Sequence, residues 1–142
     1  MPQNKDVPSS KRMPGLRIKK YSSILMSETI KEIINWIEIN LSESLTTRTL
    51  SDRAGYSTWH FQRCFTDRVG VSPVVYIRYR RMTIAAQMIL DGEHTLTDIA
   101  HYVGYNQQST FCRAFRQYYF MTPRNYRYSQ VNASQKITMD KS

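Results

Sequence analysis

The chain is poor in the residue types on which enzymes and extracellular proteins most often rely. Its 142 residues hold only two cysteines, Cys64 and Cys112, without CxxC spacing, and no secretory-type apolar stretch is present. A disulfide framework is therefore not expected, and a bacterial-type cytoplasm suits the composition. No apolar run approaches the roughly 20 residues needed to cross a bilayer, so a soluble protein is expected. The five glycines form no phosphate-cradling loop, and His60, His94 and His101 lack Cys or carboxylate partners at ligand spacing. Neither a metal nor a cofactor is expected, and the absence of a Ser-His-Asp arrangement or a catalytic carboxylate pair argues against an enzyme.

Acidic residues are also few. Eleven Asp and Glu stand against 20 Lys and Arg, leaving a formal net charge of +9. Such a balance biases the partner toward polyanions, because clustered cations displace counterions from phosphates. The excess is uneven: residues 1–26 carry six basic side chains against Asp6, and seven arginines between Arg48 and Arg81 face only Asp52 and Asp67. The second cluster reads as a patch. Charge by itself leaves open a basic module that binds RNA or other proteins.

Residues 1–26 combine Pro2, Pro8, Pro14 and Gly15 with serines and scattered Lys and Arg, too little apolar surface to offset ordering entropy. A flexible basic arm is expected there. A helix is expected from Ser27, as N-cap, to Leu41, with Ile30, Ile33, Ile34, Ile37 and Leu41 on one face and Trp36 at its edge. Beyond it the chain repeats itself. Leu50-x-x-x-Ala54-Gly55-Tyr56 returns as Ile99-x-x-x-Val103-Gly104-Tyr105, and Phe61-x-Arg63-x-Phe65 as Phe111-x-Arg113-x-Phe115. Ser72-Pro73 and Tyr76 return as Thr122-Pro123 and Tyr126. The offset is 49 residues up to the glycines and 50 after them, so the second copy holds one extra residue near its turn.

Each copy reads as a short helix ending at Gly55 or Gly104, a cap at Ser57 or Asn106, a second helix, and a Ser/Thr-Pro start to a third. The expected architecture is all-α, with about seven helices arranged as two helix-turn-helix subdomains at 27–72 and 93–128. A linker helix of 73–92, stopped by Gly92, joins them, and residues 129–142 are expected to be a disordered tail. Nineteen helical residues span roughly 28 Å, and successive major-groove segments on one duplex face lie about 34 Å apart, so DNA bent toward the protein is expected.

In the helix from Thr58 to Val69, the spacing turns Phe61, Cys64, Phe65 and Val69 inward and leaves Trp59, Gln62, Arg63 and Thr66 outside. Arg can fork to guanine, Gln can pair with adenine, and a ring can pack on a thymine methyl. The second copy turns Phe111, Ala114, Phe115 and Tyr118 inward and leaves Gln108, Ser109, Cys112 and Arg113 outside. Those seven residues, Trp59, Gln62, Arg63, Gln108, Ser109, Cys112 and Arg113, are the candidate base contacts. Candidate backbone contacts are Arg48, Ser57, Thr58, Arg78, Arg81, Gln107, Thr110, Arg116 and Arg124; Arg80 and Arg127 are further helix-end cations that could meet phosphate or pair with acids.

The stretches Ile99-Ala100-x-x-x-Gly104-Tyr105, Gln108-Ser109-x-Phe111-x-Arg113-x-Phe115-Arg116 and Thr122-Pro123-x-x-Tyr126-Arg127 resemble the signature of the AraC/XylS family of bacterial transcription regulators. Trp36-Ile37-Glu38-x-Asn40-Leu41 and Gly55-Tyr56-Ser57-x-Trp59-His60-x-Gln62-Arg63 are similar to its single-domain MarA/SoxS/Rob/RamA-like subgroup. That resemblance covers residues 27–128. It implies a monomer that binds asymmetric promoter sites in duplex DNA, recruits RNA polymerase and activates stress or multidrug-resistance genes. It also implies base contacts from Trp59, Gln62, Arg63 and Arg113. Gln107 and Gln108 stand one residue earlier than the paired glutamines of that subgroup, and Phe120 stands where the wider family tends to have glycine.

Overall fold

Residues 15–141 of the backbone, and side chains over 23–135, are described by a computed structural model. Seven helices follow one another: α1 (Gly15–Ile39), α2 (Thr47–Ala54), α3 (Thr58–Val69), α4 (Pro73–Asp91), α5 (Leu96–Tyr102), α6 (Gln108–Tyr119) and α7 (Pro123–Lys141). There is no strand among the described residues. Hydroxyl caps start most of them. Thr46, Ser57, Ser72 and Thr95 each accept a hydrogen bond from a backbone N–H in the first turn of the helix that follows. Thr122 does the same for α7 at 3.2 Å. Such caps satisfy donors that a helix cannot pair internally and are worth about 1 kcal/mol each.

The repeat survives in the packing. Phe61 and Phe65 are fully buried in the first unit and Phe111 and Phe115 in the second. Tyr76 meets Phe65 edge-on at 5.8 Å, and Tyr126 meets Phe115 in the same manner at 5.5 Å. Truncating any of these four phenylalanines to Ala removes a wholly buried ring, a change that costs about 3–5 kcal/mol. The units nevertheless share an element. Helix α4 places Ile77 in the first core, with Met26, Ile30, Ile33, Ile37, Leu41, Leu50, Phe61 and Phe65. It places Met82, Ala85, Ala86 and Ile89 in the second, and Ile84 packs against both. The expected linker is thus a wall of each core.

The ends of the chain depart from expectation. Helix α1 begins at Gly15, not Ser27, so the flexible arm expected over 1–26 is helical from residue 15 on; residues 1–14 lie outside the described residues. Met26 is buried in the first core, and Ser27 sits inside α1, where its hydroxyl accepts from Arg68 Nε at 3.2 Å. Arg68 also donates to the Ser23 carbonyl. Long-range anchoring from α3 thus supports a segment whose local composition favours no helix. At the other end, α7 continues to Lys141 where a disordered tail was expected from residue 129. The cap of α6 is Gln107, not Asn106, because the extra residue in the second turn moves the start by one position.

Phe120 occupies the left-handed C-cap of α6, at φ 62°, the place that Gly70 takes in α3 at φ 96°. A Cβ there costs roughly 1–2 kcal/mol, and the ring, 88% exposed, gains little in return. Replacing Phe120 by Gly is expected to stabilise the fold by about 1 kcal/mol, raising the thermal midpoint by a few degrees; a lower midpoint would show that the ring is held by contacts. A second expectation concerns alkali. The Tyr119 hydroxyl donates to the Met82 carbonyl at 3.1 Å, and burial, with Tyr126 and Tyr118 nearby, pushes its pKa from 10.0 to about 12. Because the folded value lies above the unfolded one, the neutral phenol's contribution is complete below pH 10 and is lost as pH rises through about 12. Urea denaturation across that window should show a shallower decline for Tyr119→Phe than for the parent chain.

Candidate nucleic-acid interface

Two short helices separated by a glycine turn define each unit. In the first, Gly55 at φ 80° ends α2, and the Tyr56 N–H returns to the Ser51 carbonyl at 3.0 Å. In the second, Gly104 at φ 91° and the Tyr105 N–H on the Ala100 carbonyl at 2.8 Å repeat the turn. Ser51 is fully buried, with its hydroxyl satisfied by the Arg48 carbonyl at 3.0 Å and by Thr58 Oγ1 at 3.2 Å. The turns thus pin α3 against α2 and α6 against α5 through their apolar faces and aim the other faces outward.

On α3 that outer face carries Trp59, Gln62 and Arg63, all exposed, which with Thr66 and Asp67 line one shallow depression. Trp59 is 69% exposed, far more than a large apolar ring needs to be, and the Arg63 guanidinium lies 5.4 Å from its ring centre. A cation resting over an indole face is held ready and still projects toward solvent. Asp67, one of the two acids within the basic cluster of the sequence, stands one turn below Arg63 and puts an acid at the edge of the stripe. Ser57 spends an acceptor on the His60 N–H at 3.2 Å and keeps its hydroxyl hydrogen, and Thr58 is exposed beside it. Arg48 is exposed, with only a loose 3.8 Å pairing to Asp52.

On α6, Ser109, Thr110, Arg113 and Arg116 are exposed. Gln108 is exposed but tethered, since its Oε1 accepts from the Thr97 hydroxyl at 2.8 Å. Gln107 makes no side-chain cap hydrogen bond, so α6 alone among the capped helices presents its first amides without a hydroxyl in front of them. Cys112 departs from the outward placement expected for it: it is half-buried against the second core, and desolvation pushes its thiol pKa up. Small size lets it turn inward where the equivalent Gln62 cannot.

The arginines divide sharply. Arg78 is exposed, whereas Arg80 forms a bidentate pair with Glu38 of α1 at 2.8 and 3.0 Å. Arg81 is not a free phosphate ligand as expected. It is half-buried, with Nε on the Leu41 carbonyl at 3.2 Å and Nη2 on the Glu43 carbonyl at 2.6 Å. Arg53 lies over the Trp36 ring at 4.5 Å and ties α2 to α1. Arg124 is exposed and lines, with Arg127, a cleft between the end of α4, α5 and α7. Partners some 40 residues away leave no trace in helical spacing, which is why these pairings are invisible in the sequence.

Paired helices with a glycine turn, each followed by an exposed polar and cationic face, define a duplicated helix-turn-helix protein. Comparison with known proteins narrows the class. Residues 50–129 match the model of a helix-turn-helix domain family. The multiple antibiotic resistance protein MarA of Salmonella typhimurium is 36% identical over 111 residues, covering 78% of this chain and 87% of that protein. Among solved structures, the C-terminal domain of the response regulator yesN from Fusobacterium nucleatum superposes with a TM-score of 0.65 at 28% identity, covering 68% of this chain and 95% of that one. The DNA-binding domain of AdpA, a global transcriptional factor solved with a target DNA, gives 0.63 at 25% identity, covering 70% and 90%. The chain belongs to the AraC/XylS family of helix-turn-helix regulators and is MarA-like. It is therefore a DNA-binding transcription regulator, not an enzyme. Among the described residues no helix is long and apolar enough to cross a membrane.

Because burial disfavours the Cys112 thiolate, its alkylation by iodoacetamide at pH 8 is expected to be slow in the folded protein and to reach an ordinary rate in urea. Mass spectrometry of the peptides reads this directly. Equal rates in both states would place the thiol on the open face.

Proposed function

We propose that the protein activates stress or multidrug-resistance promoters as a monomer in the bacterial cytoplasm, by setting α3 and α6 into two adjacent major-groove segments of one asymmetric site. The observation that carries this reading is the exposed Trp59, Gln62 and Arg63 stripe on α3, repeated in position by Ser109 and Arg113 on α6. Packing turns those positions outward but does not call for an indole, an amide and guanidinium groups there. A groove does: guanidinium and amide groups read base edges, and the indole covers a thymine methyl. Gln108 reads a base if it leaves Thr97. Cys112 is left out of the base-reading set because it faces the core.

Phosphates on either side are held by Arg48, Ser57, Thr58 and Arg78 around α3 and by Gln107, Thr110, Arg116 and Arg124 around α6. The open first amides of α6 add to this, since a helix N-terminus attracts anions through unpaired N–H groups and its dipole. RNA polymerase is the partner implied by activation. The second helix offers shorter side chains at the base-reading positions than the first, so it discriminates less.

Selection of bound duplexes from a random pool, followed by binding at several salt concentrations, tests the reading. A sequence preference that survives at high salt, with two half-sites, is expected; a preference for single-stranded RNA, or none, would overturn it. Arg63→Ala should cost about 1–3 kcal/mol and relax one base position. Base changes in the half-site read by α3 should cost on the order of 1–3 kcal/mol each, more than those in the other half. A circular-permutation gel should report DNA bent toward the protein.

A further inference from the structure

We propose that Arg81 is a positioning residue for DNA recognition: it locks the first helix-turn-helix unit against the second and so sets the half-site spacing that the protein accepts. This rests on the two-groove reading above and goes beyond it, since that reading does not say what fixes one unit against the other.

The internal repeat supplies the comparison. Gly55 and Gly104 hold equivalent turns with similar left-handed backbones, yet a Cβ on Gly55 would meet nothing within 4 Å. One on Gly104 would lie 2.6 Å from the Leu41 carbonyl oxygen and 2.7 Å from Arg81 Nη2. The turn of the second unit is therefore pressed onto the end of the first unit's leading helix, and the matching turn of the first unit is open. The difference belongs to the junction, not to the motif.

Arg81 stands at the centre of that junction. It lies on α4 between Ile77, the last buried residue of the first core, and Met82, the first of the second. Its donors reach the Leu41 and Glu43 carbonyls, in the turn that follows α1 and leads to α2. Burial lowers its pKa from the usual guanidinium value, and its Nη2 lies against the Gly104 turn, where an added Cβ would come within 2.7 Å of it. One planar group thus touches the end of α1, its own helix and the turn ahead of α6.

Both recognition helices hang from those contacts. Leu41 and Glu43 lead directly into α2 and hence α3, and Gly104 and Tyr105 lead into α6, which begins at Gln108. The apolar hold is narrower, because at its first-unit end α4 buries only Pro73 and Ile77, besides the half-buried Tyr76 and Ile84. Apolar contacts are non-directional, whereas two hydrogen bonds from a fixed guanidinium fork define an angle. Loss of the fork leaves each unit folded and frees the units to rock about α4.

The test uses the full chain and duplexes carrying two selected half-sites with spacers varied one base pair at a time. The parent protein is expected to favour one spacer. Arg81→Met should reduce the preference for that spacer over its neighbours by about fivefold or more. Affinity for a duplex bearing only the half-site of α3, and the slope of log affinity against log salt, should stay unchanged. Arg81→Lys keeps the charge but cannot span both carbonyls, so it should relax spacing in the same way, and it serves if the Met variant fails to fold. Unchanged spacer preference in a folded variant overturns the proposal. So does a salt slope smaller by about one with spacing intact, the signature of a lost phosphate contact. If the parent protein selects only one half-site, the two-groove reading fails first and this inference with it.

Discussion

Burial of α4 on two sides is the constraint from which the rest of the molecule follows. A single 19-residue helix completes one apolar core with Ile77 and another with Met82, Ala85, Ala86 and Ile89. The second core takes four of its nine buried residues from α4, whereas the first is built mainly by α1, α2 and α3 and takes only Ile77 from it. Sharing the helix makes one body from two small units. It also sets α3 and α6 about one axis, since each packs in a core that α4 helps to wall.

Around that axis, cations are used in two ways. Arg53, Arg68, Arg80 and Arg81 are turned to structure: over an indole, onto serines of α1, into a carboxylate and onto carbonyls of the turn after α1. Arg63, Arg113 and Arg116 are left on the outer faces of α3 and α6. The net charge therefore overstates the number of cations free for a polyanion. The Arg80 and Glu38 pair is partly shielded, with side chains 26% and 32% exposed, so it is more than a surface ion pair of small worth. A guanidinium suits each structural use, being planar and readily stacked or forked, where an ammonium would offer a point charge.

Sequence and structure agree where local chemistry decides. The bounds of α3 and α4, the buried phenylalanines, the glycine turns and the Ser/Thr-Pro starts were all legible, because capping, φ preference and helical periodicity act within a few residues. The outer stripe of α3 was legible for the same reason: once Phe61 and Phe65 turn inward, Trp59, Gln62 and Arg63 must turn out. The one-residue shift of the α6 cap was present in the unequal repeat offset, although the residue it selects, Gln107, has no capping side-chain bond to announce it.

What the sequence determined by itself was thus the kind of protein: a duplicated helical unit, its faces, and the polar and aromatic residues left exposed on α3 and α6. Tertiary structure decided how far order spreads and which cations stay free. Helix α1 reaches back to Gly15, with Met26 buried and Arg68 of α3 anchoring Ser23 and Ser27, none of which local composition favours. Arg81 turns from a phosphate candidate into a structural donor because the fold brings it the Leu41 and Glu43 carbonyls, about 40 residues away. Periodicity reports on neighbours one turn apart; only the folded chain brings distant donors and acceptors within 3 Å.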